Sequence, residues 1–266
     1  MQEKFNEIFF DRAFRCKSFC SMDSAHFHPH HELYYIVNGK AKYFIGSELF
    51  ILNPGDFIFI PQNDYHKTQY ISNTETERIL IFFDEEFIGK DFLHYLEMPK
   101  KEKLIQIANE NMHAIRSLLR KIEDESTMKL EGYVEMQKMY LRQLLILFDR
   151  HGQKAKQQLN ATHTMMQDAA KYISANFAED LNLTDISHMF SLSPVHFGTQ
   201  FKKVTGVGFK NYITITRISA AKAMFDAGEK NITKVAYACG FNDSNYFIKV
   251  FKEIMGVTPK KYSTTV

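Results

Sequence analysis

An α+β chain of two domains is predicted: an amino-terminal antiparallel β-barrel or jelly roll with helices after it, then an all-α carboxy-terminal domain. Three observations carry this expectation. Short β-branched and aromatic runs separated by turn residues fill residues 1–84. Beyond residue 100 the apolar period lengthens from two to three or four. The last third contains an approximate internal repeat. A length of 266 residues suits two domains, and 45% hydrophobic with 24% charged residues excludes a disordered or collagen-like chain. No apolar run approaches the ~18 residues of a membrane span. Glu3, Glu7 and Asp11 interrupt the amino terminus, unlike a signal peptide. Cys16, Cys20 and Cys239 match neither a zinc ribbon nor a disulfide framework and are expected to be buried apolar residues. A cytoplasmic protein is expected.

Tyr34-Tyr35-Ile36-Val37, Lys42-Tyr43-Phe44-Ile45, Leu49-Phe50-Ile51-Leu52, Phe57-Ile58-Phe59-Ile60 and Arg78-Ile79-Leu80-Ile81-Phe82-Phe83 read as strands. Asn38-Gly39, Gly46-Ser47, Asn53-Pro54-Gly55-Asp56 and Pro61-Gln62-Asn63-Asp64 supply the turns between them. Leu104, Ala108, Met112, Ile115, Leu119 and Ile122 then recur at helical steps. A second helix over 133–148 is apolar on two sides, with Tyr133, Met136, Tyr140 and Leu147 beside Leu141, Leu144, Leu145 and Phe148. One side is expected to cover the barrel and the other a partner chain, giving a homodimer; an internal two-helix layer is the competing reading. These features define an expected effector-binding and dimerisation domain over 1–150, a polar linker over 151–164 and a helical domain over 165–266.

The helical domain is clearly punctuated. Thr184 is expected to cap a helix over 185–190, and Ser193-Pro194 to open one that ends before Gly206. A long helix spans 209–227 and closes at Gly228. Asn231 or Thr233 starts a short helix that stops near Gly240, and Asp243 caps the next, which ends before Gly256. Residues 201–212 and 251–262 match at an offset of 50 through Phe201/Phe251, Lys202/Lys252, Gly206/Gly256, Val207/Val257, Lys210/Lys260 and Tyr212/Tyr262. Each copy is a short helix, a tight turn and a capped helix, the arrangement that seats a recognition helix in a major groove. The long helix between them would hold two recognition helices on the order of 34 Å apart, one repeat of duplex. Charge agrees: residues 193–266 hold 11 Lys and Arg against 4 Asp and Glu, a net of +7, although the whole chain carries only +2.

Residues 168–262 resemble the DNA-binding domain of the AraC/XylS family of bacterial transcription regulators. The resemblance rests on Phe201-Lys202-Lys203, Thr205-Gly206, Tyr212, Arg217, Ala221, Ile232, Val235-Ala236, Phe251-Lys252, Gly256, Pro259 and Tyr262. The run Ala238-Cys239-Gly240-Phe241-Asn242-Asp243-Ser244-Asn245-Tyr246-Phe247 is the most specific part. It implies recognition helices over 194–205 and 244–255. With Phe197 and Phe201, and Phe247 and Phe251, facing inward at four-residue spacing, the outward positions follow. They are Val195, His196, Gly198, Thr199 and Lys202 in the first helix and Ser244, Asn245, Ile248, Lys249 and Lys252 in the second. Asn245 and Lys249 carry base-reading chemistry, whereas Lys202, Lys203 and Lys252 suit phosphates. Gly198 and Thr199 stand where the family often has longer polar side chains, so the first helix is expected to lean on methyl contacts, backbone contacts and DNA shape.

His26-Phe27-His28-Pro29-His30-His31-Glu32 is the other unusual feature. On a continuous strand His26, His28, His30 and Glu32 would share one face. With Gly39, Pro54, Pro61 and His66 the segment resembles the two motifs of the cupin barrel, which implies His26, His28, Glu32 and His66 as ligands of Zn²⁺, Fe²⁺, Mn²⁺ or Ni²⁺. Two other readings stand beside it. The same side chains, with His30, Tyr34 and Tyr43, would line a metal-free pocket for a polar effector such as a sugar, or several of the histidines lie at a strand edge in water. Overall, the expected function is a non-enzymatic, sequence-specific transcription regulator that responds to a small effector. The family resemblance implies activation through RNA polymerase. A metal-dependent cupin enzyme fused to a DNA-binding module is the alternative.

Overall fold

The computed structural model describes residues 6–15, 26, 28–71, 75–155 and 159–265. Cys16 and Cys20 lie outside them. Nine strands form two antiparallel sheets: β1 (Phe9–Arg15), β2 (His31–Asn38), β3 (Ala41–Ile45), β4 (Glu48–Leu52), β5 (Phe57–Ile60), β6 (His66–Tyr70), β7 (Thr76–Phe83), β8 (Leu104–Ile107) and β9 (Gly152–Lys154). Six of them run in the order β1-β7-β2-β5-β8-β9, and three in the order β4-β3-β6. The strands expected from turn spacing are all present. Hydrogen bonds do not close the two sheets into a barrel among the described residues.

Alternation along β2 shows how the layers are built. His31, Leu33 and Tyr35 face one side of the sheet, and Glu32, Tyr34 and Ile36 the other. The first side packs on α3 (Asn109–Met128) and α4 (Tyr133–His151) through Leu33, Tyr35, Phe57, Phe59, Ile115, Leu119, Leu141 and Phe148. The second packs on the small sheet through Ile36, Tyr43, Ile45, Leu52, Ile58 and Ile60. Two short helices, α1 (Glu85–Ile88) and α2 (Glu97–Glu102), link β7 to β8. Leu104, expected to open a helix, instead begins β8, whose Leu104 and Ile105 pair with Ile58 and Phe57. Their apolar steps fit either period over so short a run, and the open sheet edge decided it.

At both ends of the expected linker over 151–164 the described residues form regular structure. Gly152–Lys154 pairs with β8, and α5 (Ala161–Ala175) opens at the Asn160 cap, four residues before residue 165. The helical domain continues through α6 (Leu183–Met189), α7 (Pro194–Thr205), α8 (Phe209–Asp226), α9 (Ile232–Ala238), α10 (Ser244–Met255) and α11 (Pro259–Thr265). Ser193, Asn231 and Asp243 each accept a backbone N–H as N-caps, as expected. Thr184 is no cap: Asn182 takes that place, so α6 begins one residue before it. Asn and Thr both serve, and the side chain of Asn182 reaches Asp185 N at 2.9 Å.

Candidate functional site

The histidine segment is bent, not one strand. His26 forms a two-way backbone bridge with His66, Pro29 and His30 form a bend, and β2 begins at His31. Three of the four expected metal positions still converge. Ligand atoms of His26, His28 and His66 all lie within 4.8 Å of one another. Glu32 Oε2 sits 3.0 Å from His28 Nε2 and 3.4 Å from His66 Nε2. His30 turns aside to Asp84, with Nδ1 2.5 Å from Oδ1, and does not join the cluster. The bend at Pro29 breaks the period-two pattern on which its placement depended.

Backbone carbonyls fix two of these rings. His28 Nδ1 donates to His30 O at 2.8 Å and His66 Nδ1 to Asp64 O at 2.9 Å. With Nδ1 so engaged, each ring turns its Nε2 towards Glu32, the orientation that outer-shell hydrogen bonds impose on metal-binding histidines. His66 Nε2 is buried and makes no hydrogen bond. Burial alone would raise the Glu32 carboxyl, but the neighbouring His28 and His66 rings outweigh it and bring it down to about 2. His31 faces the helices instead. Its Nδ1 accepts Gln62 N–H, so its Nε2–H donates to Glu85, and burial lowers its pKa.

Beyond the imidazoles, the polar side chains between the sheets form a belt. Tyr43 OH donates to Glu32 Oε1 at 3.4 Å, Tyr34 OH to Tyr70 OH at 3.0 Å, and the Tyr34 and Tyr43 rings meet edge to face. Thr68 Oγ1, on the same inner face of β6 as His66, is buried without a partner. Two orphaned buried polar atoms on one strand face are uncommon, and a polar occupant is the ordinary remedy.

In the helical domain each helix expected to read DNA is seated by its phenylalanines. Phe197 and Phe201 are fully buried with Phe209 and Tyr212, and Phe247 and Phe251 with Phe225 and Phe241. Val195, His196, Thr199, Lys202 and Lys203 are exposed on α7, with Gly198 half-buried; Val195 is 81% exposed. On α10, Asn245, Lys249 and Lys252 are exposed, and Ser244 and Ile248 half-buried. Sequence reasoning passed over Tyr246, an exposed aromatic beside Asn245. The two units are tied together by Arg217 of α8, which donates to Phe177 O and Glu179 O and lies over the Phe241 ring. Gly240, at φ +81, lets the second turn approach closely: a Cβ there would stand 2.7 Å from Ala178 O.

Sequence reasoning missed how the small sheet meets this domain. Phe44 and Leu49 enter the core of the first unit, and the Phe44 and Tyr212 rings pack edge to face. Tyr212 OH donates to Gly46 O, and Leu49 N–H to Gln167 Oε1. Lys42 Nζ donates to Lys203 O at 2.8 Å and Lys67 Nζ to Gly206 O at 2.9 Å, both at the carboxy-terminal end of α7. Cations at that end of a helix complement its dipole. A signal did exist: β3 alternates Tyr43 and Ile45 with an apolar Phe44, so both its faces require cover.

Comparison with known proteins agrees with this architecture. A family model for a cupin domain matches residues 21–82, and one for a helix-turn-helix domain matches residues 186–265. The transcriptional activator RhaR of Mannheimia succiniciproducens is 23% identical over 240 residues, spanning 89% of this chain and 86% of that protein. RhaR of Yersinia pestis is 23% identical over 249 residues, spanning 89% and 83%. By these matches the chain resembles the AraC/XylS family of transcription regulators. Among solved structures, fatty-acid-bound ToxT of Vibrio cholerae aligns over 100% of this chain and 98% of its own at 16% identity and a TM-score of 0.40. A cupin match thus precedes a helix-turn-helix match, and the chain is a DNA-binding transcription regulator with an effector-binding domain. No helix of the described residues is long and apolar enough to cross a membrane.

Proposed function

We propose that this regulator activates transcription from promoters it reads with α7 and α10, under control of a small polar effector held between its two sheets. The observation that carries the reading is the pair of capped, phenylalanine-seated helices joined through α8, whose 18 residues span about 27 Å. Asn245 and Lys249 would read bases, adenine by the amide and guanine by the amine. Ser244 and Ile248 would meet base edges or methyl groups, and Lys202, Lys203 and Lys252 would hold phosphates. Val195, His196, Gly198 and Thr199 would contribute methyl, backbone and shape contacts. Activation is taken from the relatives, which are named activators, and implies contact with RNA polymerase in the cytoplasm.

His26, His28, His66 and Glu32 would hold a divalent transition metal, as the orphaned Nε2 of His66 and the carbonyl-fixed rings favour. When bound, such an ion supplies a Lewis-acidic position for hydroxyl or carboxylate oxygens of the effector. Tyr34 and Tyr43 would form the walls. The half-buried outer side of α4, with Tyr133, Met136, Tyr140 and Leu147, would pair with a second copy. A regulator is favoured over an enzyme because the relatives are named transcriptional activators.

Genome-wide mapping of bound sites tests the reading. The wild-type chain should occupy a defined set of promoters, and Asn245→Ala with Lys249→Ala should empty most of them. Occupancy unchanged by both substitutions contradicts the assignment of α10. Elemental analysis of untagged protein should find one metal per chain, and sub-stoichiometric metal removes the ion from the account. Turnover of a small metabolite by metal-loaded protein would favour the enzyme instead.

A further inference from the structure

A cleft of about 700 Å³ separates the outer face of the small sheet from the outward face of α7. It is not the site between the sheets. Lys42 and Phe44 of β3 line it while Tyr43 points the other way, and Lys67 and Gln69 of β6 line it while His66 and Thr68 point inward. Four lysines, Lys42, Lys67, Lys202 and Lys203, line this cleft, and no acidic side chain does so among the described residues.

Lys42 makes the imbalance acute. It is only 8% exposed, and the charged groups that act on it are Lys203 and Lys67. Burial, then these two cations, push its amine down to about 8. One of its three N–H donors is spent on Lys203 O. A buried cation with no counter-charge is costly, and an anion is what relieves it. The remaining walls are apolar, from Phe44, Leu183, Pro194 and Val195, so the anion should carry an organic body. Duplex DNA does not suit the floor of the cleft, because a backbone phosphate would have to reach an amine that solvent barely touches.

We propose that this cleft binds a small organic anion, a carboxylate or phosphate ester with an apolar body, and that its occupant competes with DNA for α7. The charged head sits on Lys42 and Lys67, and the body lies along the Val195, Gly198 and Thr199 face. That face is the one assigned to the major groove, so occupancy and docking of α7 exclude each other. This consequence for DNA rests on the proposed reading of α7; the binding itself does not.

The test uses phenyl phosphate titrated calorimetrically into the full chain without DNA, with phenol as the neutral control. Phenyl phosphate should bind saturably and phenol should not. Gln69→Glu, which places a negative charge on the wall without touching a docking contact named above, should weaken binding roughly tenfold or more. Lys42→Gln should do the same and Lys42→Arg should restore it, with thermal melts confirming that each variant folds. Phenyl phosphate should then lower the affinity of the wild-type chain for a selected DNA site, with a smaller effect on Gln69→Glu. Absence of saturable binding, or binding indifferent to Gln69→Glu and Lys42→Gln, overturns the site. Loss of DNA affinity and salt dependence in Lys42→Gln with phenyl phosphate binding intact assigns the lysines to duplex and also overturns it. Phenyl phosphate binding with DNA affinity unchanged leaves the site standing and overturns the competition, and with it α7 as a groove-reading helix.

Discussion

The two helix-turn-helix units share one scaffold and have different neighbours. In both, a Ser or Asp cap opens the second helix, two phenylalanines seat it, and a glycine in the left-handed region closes it. Yet the first unit shares its core with Phe44 and Leu49 of the sensor, and the end of α7 is held by Lys42 and Lys67. The second packs on α8 and α11, and a cleft lined by Tyr65 of the sensor and by Tyr246 and Val250 lies beside it. On the proposed reading, α10 would then do most of the base reading, while α7 would also answer to the sensor. The side chains agree: α10 presents Asn245 and Lys249, whereas α7 presents Gly198 and Thr199, whose hydroxyl is already bonded to Val195 O.

The largest expected effect separates the shared core from the private one. Phe247→Ala and Phe197→Ala should each cost ~3–5 kcal/mol. Calorimetry should show Phe197→Ala lowering the melting of the sensor as well, and Phe247→Ala sparing it. Equal behaviour would mean that the sheet does not share the first core. Base reading comes next. Asn245→Ala or Lys249→Ala should cost ~1–3 kcal/mol on a cognate site and relax specificity, against under ~0.5 kcal/mol for Thr199→Ala; titration of fluorescent duplexes compares them. A reversed order would exchange the roles of the two helices.

Smaller effects test the clasp. Asp243→Ala and Ser193→Ala should each cost ~1 kcal/mol as lost caps, measurable by denaturant melts. For Lys42 the sign follows from its lowered pKa. The unfolded amine titrates near the ordinary 10.5 and the folded one at about 8, so the unfolded chain binds more protons between them. Stability of the sensor-docked unit should rise from pH 8 to 10.5, and that increment should vanish in Lys42→Met. A wild-type profile matching the variant's would contradict the buried, unpaired amine.

Much of this was legible in the sequence because it depends on local chemistry. Ser193-Pro194, Asp243, Gly206 and Gly240 announce their caps and turns wherever they stand, and the fifty-residue offset exposes the duplication. The five strands bounded by Gly, Pro, Asn and Asp were equally plain. What failed depended on partners distant in the chain. Gly152–Lys154 is polar and becomes a strand only because β8 offers an edge. His30 left the histidine cluster because Pro29 bends the chain and Asp84 is within reach. The role of Lys42 and Lys67 was not legible, since no residue near them in the chain reports that the end of α7 lies against them. Tyr246 was visible but was credited to the family pattern, not to the exposed face.

The most direct measurement is selection of binding sites from a random duplex library by the full-length chain, scored base by base. Two half-sites about 10 base pairs apart are expected, with the one under α10 sharply specified and losing its preference in Lys249→Ala, and the one under α7 weakly specified. An unenriched library, or a sharp half-site that ignores Lys249→Ala, would contradict the division of labour between the two units.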